Sequence, residues 1–277
     1  MADFYKGTIP ILEPHASKDR DMFHPKGATY GYEPRDYKLY PEEMFQAPSE
    51  MELAAETDWD ALYDEQEKLK TSLEHLYLSG PGGNPVFENL DQNGDGYCWG
   101  YSTGHASMLV RLSMHLPIVR LNPHSMCAII KKGANQGGWC GLSGEFATAN
   151  GMAEEGTGPG QWPLHSRNLK YDTPECRAAM SKYIVTGTWM DMTREAYDRN
   201  LTTRQVATCG FKNTPAPSDF NWWGHSVCQV RWVRIERGSW GPLILNSWKG
   251  WGRHGLAVLR GSQAICDGGI GLRALAA

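Results

Sequence analysis

Apolar positions along the chain first recur with a helical period between Asp58 and Leu78. There Trp59, Leu62, Tyr63, Leu69, Leu73 and Leu76 fall near one face, between acidic and basic positions, which is the spacing of an amphipathic helix. The pattern stops at Ser79-Gly80-Pro81-Gly82-Gly83, where glycine and proline end a helix. Residues 98–115 carry apolar or small side chains almost all round (Trp99, Tyr101, Ala106, Met108, Leu109, Leu112), so they predict a helix buried on every side. Residues 143–155 and 173–184 are further predicted helices. After about residue 220 the period shortens. Val227 to Ile235 alternates in part, and Leu243-Ile244-Leu245 and Leu256 to Leu259 are short apolar runs between Gly-rich turns, the pattern of strands. A helical half followed by a strand-rich half predicts an α+β chain. Residues 1–57 show little periodicity, and stretches such as Phe23-His24-Pro25-Lys26-Gly27 and Gly31-Tyr32-Glu33-Pro34 read as extended or turning chain. Their tyrosines and methionines predict an arm that packs against something. The expected organisation is an N-terminal extension over 1–84 (arm 1–57, helix about 58–78) and a domain over 85–277.

Composition narrows the function classes. The chain has 277 residues and a formal net charge of −4, with its basic residues scattered, so no nucleic-acid footprint is expected. No apolar run approaches the roughly 20 residues a membrane helix requires, and Met1-Ala2-Asp3-Phe4 lacks the basic and apolar regions of a secretory signal. The seven cysteines (Cys98, Cys127, Cys140, Cys176, Cys209, Cys228 and Cys266) are odd in number and contain no CxxC pair. They read as reduced thiols, mostly buried, and not as a disulfide framework or zinc site. His105, His115, His124, His165 and His254 form no metal-ligand spacing, and no metal or cofactor is expected.

The chemistry concentrates around Gln92-Asn93-Gly94-Asp95-Gly96-Tyr97-Cys98-Trp99. Asp91, Asn93, Asp95 and Gly96 match the opening of a calcium loop, but the position of its closing glutamate is Ser102, so a Gly/Asp-rich turn explains the match better. Cys98 then stands as the first residue of a helix. A helix N-terminus carries partial positive charge, which favours a thiolate, although a buried inert cysteine would fit the same position.

The surrounding blocks shift that balance. Gly96, Cys98 and Trp99 match the nucleophile segment of papain-like cysteine peptidases, with His225 and Asn246 lying 127 and 148 residues downstream of Cys98, close to the roughly 130–150 of the signature. Gln92 lies six residues before Cys98, Gly137-Gly138-Trp139 is followed by a predicted helix and Gln161-Trp162-Pro163, and Gly224-His225-Ser226-Val227 and Asn246-Ser247-Trp248-Lys249-Gly250-Trp251-Gly252 follow in order. Over roughly residues 85–265 the chain resembles the papain family. The resemblance implies a two-lobed papain-like fold, with a helical left lobe whose central helix starts at the catalytic Cys and a β-barrel-like right lobe. It implies Cys98 as nucleophile, His225 as acid and base, and Asn246 as the group orienting the imidazole. Gln92 and the Cys98 backbone N–H would form an oxyanion hole, Gly137, Gly138 and Trp139 would hold substrate, and Trp248 and Trp251 would shield the site.

Besides Tyr97, which stands where the signature has a small residue, the resemblance is broken in two places. Asp95 stands where extracellular relatives carry a disulfide cysteine, and Gly224 stands where Asp or Asn commonly precedes the histidine. Together with the absent signal, the first points to a cytoplasmic setting or a particle. The leading expectation is a thiol peptidase acting on peptide or isopeptide bonds in a peptide or protein substrate. The alternative is an assembly protein, for example a virion component, reusing the fold and docking a protein partner through its arm. The helix near 58–78 could cover the cleft as a pro-segment does.

Overall fold

A computed structural model of the chain describes residues 5, 8–14, 16–26, 28–35, 51–190, 196 and 198–275; the rest of the expected arm, 36–50 included, lies outside the described residues. Seven strands are β1 (Ile11–Leu12), β2 (Val185–Trp189), β3 (Ala216–Phe220), β4 (His225–Glu236), β5 (Ser239–Leu245), β6 (Leu256–Leu259) and β7 (Gly268–Leu275). They form one sheet in the order β1-β6-β5-β4-β3-β7-β2, antiparallel except where β1 runs parallel to β6. Among the described residues, the α-helices with assigned bounds are α1 (Arg20–Phe23), α2 (Trp59–Leu69), α3 (Leu73–Tyr77), α4 (Cys98–Ser113), α5 (Pro123–Ile130), α6 (Cys140–Asn150), α7 (Pro174–Met180) and α8 (Leu201–Phe211).

The predicted helix over 98–115 is α4, buried from Cys98 to Arg111. Two of its glycines let neighbouring side chains approach. A Cβ at Gly100 would stand 2.0 Å from Cys127 Sγ, and one at Gly104 would stand 2.6 Å from Pro123 Cγ, so α5 packs closely on α4. The predicted helix over 143–155 begins earlier, at Cys140, and the one over 173–184 closes as an α-helix at Met180.

The single helix predicted over 58–78 is instead two. Lys70 adopts a left-handed conformation (φ 54°) that ends α2, and Ser72 caps α3 by accepting from the His75 N–H, a serine N-cap. Leu69, counted on the apolar face, is exposed as a result. Both helices pack against β4, and Trp59, Tyr63, Leu73 and Tyr77 belong to the same hydrophobic core as the strands.

That packing explains β4, which is buried at every position but its last although it carries Gln229, Arg231 and Arg234. Arg231 Nη1 lies 2.6 Å from Glu67 and 2.9 Å from Glu74, and Arg234 reaches Asp60 at 2.6 Å and Asp64 at 2.7 Å. The polar positions of the alternation are therefore met by carboxylates of α2 and α3 instead of water. A buried ion pair that loses one partner strands the other charge. Arg231→Ala should lower unfolding stability by about 3 kcal/mol, and Arg231→Met in a Glu67→Gln/Glu74→Gln background should recover most of it. Urea unfolding of the three chains checks this; equal midpoints for Arg231→Ala and the parent chain would contradict it.

Candidate active site

Cys98 opens α4 and is fully buried. His225 opens β4, and Asn246 follows the end of β5 directly. Pairing of Cys228 with Leu245 sets these two side chains against each other, with His225 Nε2 2.8 Å from Asn246 Oδ1. The backbone N–H of Ser247 also donates to Asn246 Oδ1, at 2.8 Å. Since an N–H can only donate, that atom is the amide oxygen, and His225 carries its hydrogen on Nε2. Its Nδ1 is buried and has no partner among the described residues. Trp248 stacks on the imidazole at 4.3 Å and 27°, and Trp223 meets it edge-on at 4.8 Å. Trp251 packs against Trp223 and donates from Nε1 to the Met22 carbonyl at 2.5 Å.

Gln92 is buried and its orientation is fixed from the same turn. Ser247 Oγ donates to Gln92 Oε1 at 2.7 Å, so Nε2 is the donor end, and it reaches the carbonyls of Asp95 (2.7 Å) and Thr29 (3.1 Å). Ser247 thus orients both Asn246 and Gln92, a role the sequence reading did not assign to it. Asp95, in place of a disulfide cysteine, is held by His124 Nε2 at 2.7 Å, while Gly96 N–H donates to Asn135 Oδ1 at 2.7 Å and Tyr97 OH to Ala134 O at 2.7 Å. Those bonds fix the turn before Cys98 without a disulfide, and all seven cysteines are free and buried. Asp91 and Asp95 are engaged by neighbouring protein groups in the same way, Asp91 by the Asn93 N–H.

Residues 28–33 lie across this group. The Thr29 carbonyl occupies the Gln92 amide, and Tyr30 packs edge-on against His225 (6.3 Å) and Trp248 (5.7 Å). Tyr32 N donates to Gly224 O at 3.2 Å, Gly138 N to Gly31 O and Glu33 N to Gly138 O, both at 2.8 Å, so Tyr32 and Gly138 form a parallel bridge. Three glycines permit this contact. A Cβ at Gly31 would stand 2.1 Å from Gly96 O, and one at Gly138 would stand 2.8 Å from the Trp99 ring. Gly224 has φ 63°, a left-handed conformation that glycine adopts without strain; this accounts for glycine before His225. Gly137 adjoins Glu33, and Trp139 packs on Trp189 at 5.9 Å.

Enclosure decides the protonation states. Burial pushes the Cys98 thiol up to about 12, although the N–H groups of Ser226 and Gly31 pull the other way. Burial drives the His225 imidazole down to about 4 against the pull of its bond to Asn246. In this conformation the sulfur is a thiol and the imidazole is neutral.

No protein-family model matches the chain, and no curated protein matches it in sequence. Solved structures do. Xylellain, a cysteine protease from Xylella fastidiosa, superposes with a TM-score of 0.60 at 15% identity, covering 91% of this chain and 98% of that one. The proform of Amb a 11, a cysteine protease and ragweed pollen allergen, gives 0.53 at 13% identity, covering 90% and 77%. Digestive procathepsin L 3 of Tenebrio molitor gives 0.52 at 15%, covering 93% and 87%. The chain has the α+β fold of papain-like cysteine proteases.

A histidine with a depressed folded pKa contributes stability above its ordinary value of 6.5, and that stability is lost as pH falls towards 4. His225 should therefore remove about 3 kcal/mol between pH 6.5 and 4. Asp219, raised to about 6, acts with opposite sign over part of that window. The comparison of the parent chain with His225→Gln cancels its contribution. Denaturant unfolding across the window should show the extra acid loss only in the parent; parallel pH profiles would refute the assignment.

Proposed function

We propose that the chain is a thiol peptidase that hydrolyses peptide or isopeptide bonds through an acyl-enzyme on Cys98, and that residues 28–35 hold it latent. The observation that carries this reading is the His225–Asn246 hydrogen bond. It leaves Nδ1 as the unpartnered, basic nitrogen, at the start of β4, which packs against the helix that Cys98 opens. With the segment displaced, water re-enters and the proton of Cys98 passes to His225 Nδ1. The thiolate, at the α4 N-terminus, attacks the substrate carbonyl. The Gln92 amide, which now donates to Thr29, and the Cys98 N–H take the oxyanion, an effect worth about 3 kcal/mol per donor. The imidazolium gives its proton to the leaving amine, then takes one from the water that releases the acyl group. Gly138, whose N–H and carbonyl are now engaged by Gly31 and Glu33, would hold an extended substrate between Gly137 and Trp139. Trp248 would keep water from the His225–Asn246 bond.

Occupancy of the site by the chain's own residues also favours the second reading, an assembly component whose fold is retained and whose arm docks. Turnover separates the two. In the parent chain Cys98 should react slowly with iodoacetamide and no peptide substrate should be cleaved. Gly31→Val places a side chain against Gly96 O, an overpacking of about 1–3 kcal/mol, and should raise both Cys98 alkylation and peptide hydrolysis about tenfold or more. Cys98→Ser in that background should abolish hydrolysis. Fast alkylation without any cleavage of a mixed peptide library would favour the assembly reading, and unchanged alkylation would refute latency.

A further inference from the structure

The N-terminal segment is held in two different ways. β1 and α1 are built into the fold. The carbonyls of Pro10 and Leu12 accept the N–H groups of Val258 and Arg260, both at 2.9 Å, which adds β1 to the sheet beyond β6. Without β1, β6 would be an open edge with unpaired backbone groups. Leu12 and Phe23 are buried in the same core as the strands. Residues 28–35 are held more lightly. Tyr30, Glu33 and Pro34 are exposed, and Ala28, Thr29 and Tyr32 are half-buried. Their bonds run to the Gln92 amide and the Gly138 backbone, which an extended substrate would take over.

The fixed part reaches the histidine. Phe23 has no exposed surface and lies edge-on to Trp222 at 5.3 Å and to Trp223 at 5.1 Å. The Trp223 indole N–H donates to the Phe23 carbonyl at 2.7 Å, and that of Trp251 donates to the Met22 carbonyl at 2.5 Å. An indole has no other polar atom, so these bonds fix how each ring is turned. Trp223 then meets the His225 imidazole edge-on at 4.8 Å and Trp248 at 5.5 Å. One of the two rings against the imidazole is thus oriented from α1, and the other packs on it. The Phe23 carbonyl also accepts the Tyr30 hydroxyl, at 3.1 Å. When residues 28–35 leave, that bond goes and the bond from Trp223 remains.

We propose that β1 and α1 are a fixed wall of the active site, with Phe23 as a positioning residue for His225, and that latency is relieved by displacing residues 28–35 while this wall stays bound. This rests on Cys98 and His225 forming the latent peptidase site described above. The alternative is a removable inhibitory arm, in which α1 and residues 28–35 act as one unit. The two arrangements differ in sign: weakening an inhibitor activates, whereas weakening a wall of the site impairs.

The test uses full-length chains carrying Gly31→Val. Cys98 alkylation by iodoacetamide at neutral pH is read by peptide mass spectrometry, and the exchange lifetime of the His225 Nε2 proton is read by NMR. Phe23→Ala should slow alkylation about tenfold and shorten the proton lifetime, because the bond to Asn246 loses its support. Phe23→Leu, which refills most of the volume, should recover most of both, and Tyr30→Ala should leave both at their Gly31→Val values. A Phe23→Ala chain that alkylates as fast as Gly31→Val, or faster, would overturn the proposal and make α1 part of the inhibitor. Neither readout requires turnover, so an absence of peptide hydrolysis counts against the peptidase reading alone. A Gly31→Val chain no faster than the parent overturns the displacement, and the proton lifetime still decides the positioning role: unchanged by Phe23→Ala, it overturns that as well. Should Phe23→Ala not accumulate as folded protein, Trp251→Phe, which removes the donor to Met22, replaces it. A slower rate then supports the wall, and an unchanged rate overturns it.

Discussion

The register between β4 and β5 is the constraint on which the site depends. Cys228 opposite Leu245 is what sets His225, at the start of one strand, against Asn246, at the end of the other. A slip of one residue would turn every side chain of β4 to the opposite face. The register is secured by burial along nearly the whole of β4, with α4 packed against it and α2, α3 and α8 packed there as well. The arginine pairs to α2 and α3 matter to the chemistry for this reason. They allow a strand with polar positions to be covered on all sides, and the covered strand then holds the imidazole.

The second organising feature is enclosure. Protein groups engage the Gln92 amide (Thr29), the Gly138 backbone (Gly31 and Glu33) and the Gly224 carbonyl (Tyr32), while His225 Nδ1 is buried with no partner among the described residues. Without water, ionisation is disfavoured at both members of the pair, which is why burial raises the thiol and lowers the imidazole. Activity in this account is a matter of solvent access to a preformed hydrogen-bond network, not of assembling one.

Much of this was legible in the sequence. The α+β order, the buried helix from Cys98 and the blocks around His225 and Asn246 carry strong local signals, and the structure brings Gln92, His225 and Asn246 together around Ser247. The failures have physical causes. The break at Lys70 depends on a left-handed backbone that a lysine does not advertise. α5 was passed over although Asn122-Pro123 is a readable cap, with Asn122 accepting from the His124 N–H. β3, Ala216-Pro217-Ser218-Asp219-Phe220, has the composition of a turn and is a strand only because its polar side chains find buried partners. Asp219 was invisible for that reason. The role of Gly31 was equally hidden, since the need for a missing Cβ arises from Gly96, 65 positions later in the chain.

The central claim is that a complete thiol site is held neutral by the chain that covers it. The nitrogen chemical shifts of the His225 imidazole, measured by NMR at neutral pH on selectively labelled protein, report this directly. The account predicts an Nε2 that carries hydrogen and an Nδ1 that does not in the parent chain, with Nδ1 becoming protonated when Gly31→Val displaces the segment. An imidazolium in the parent chain, with both nitrogens protonated, would contradict it.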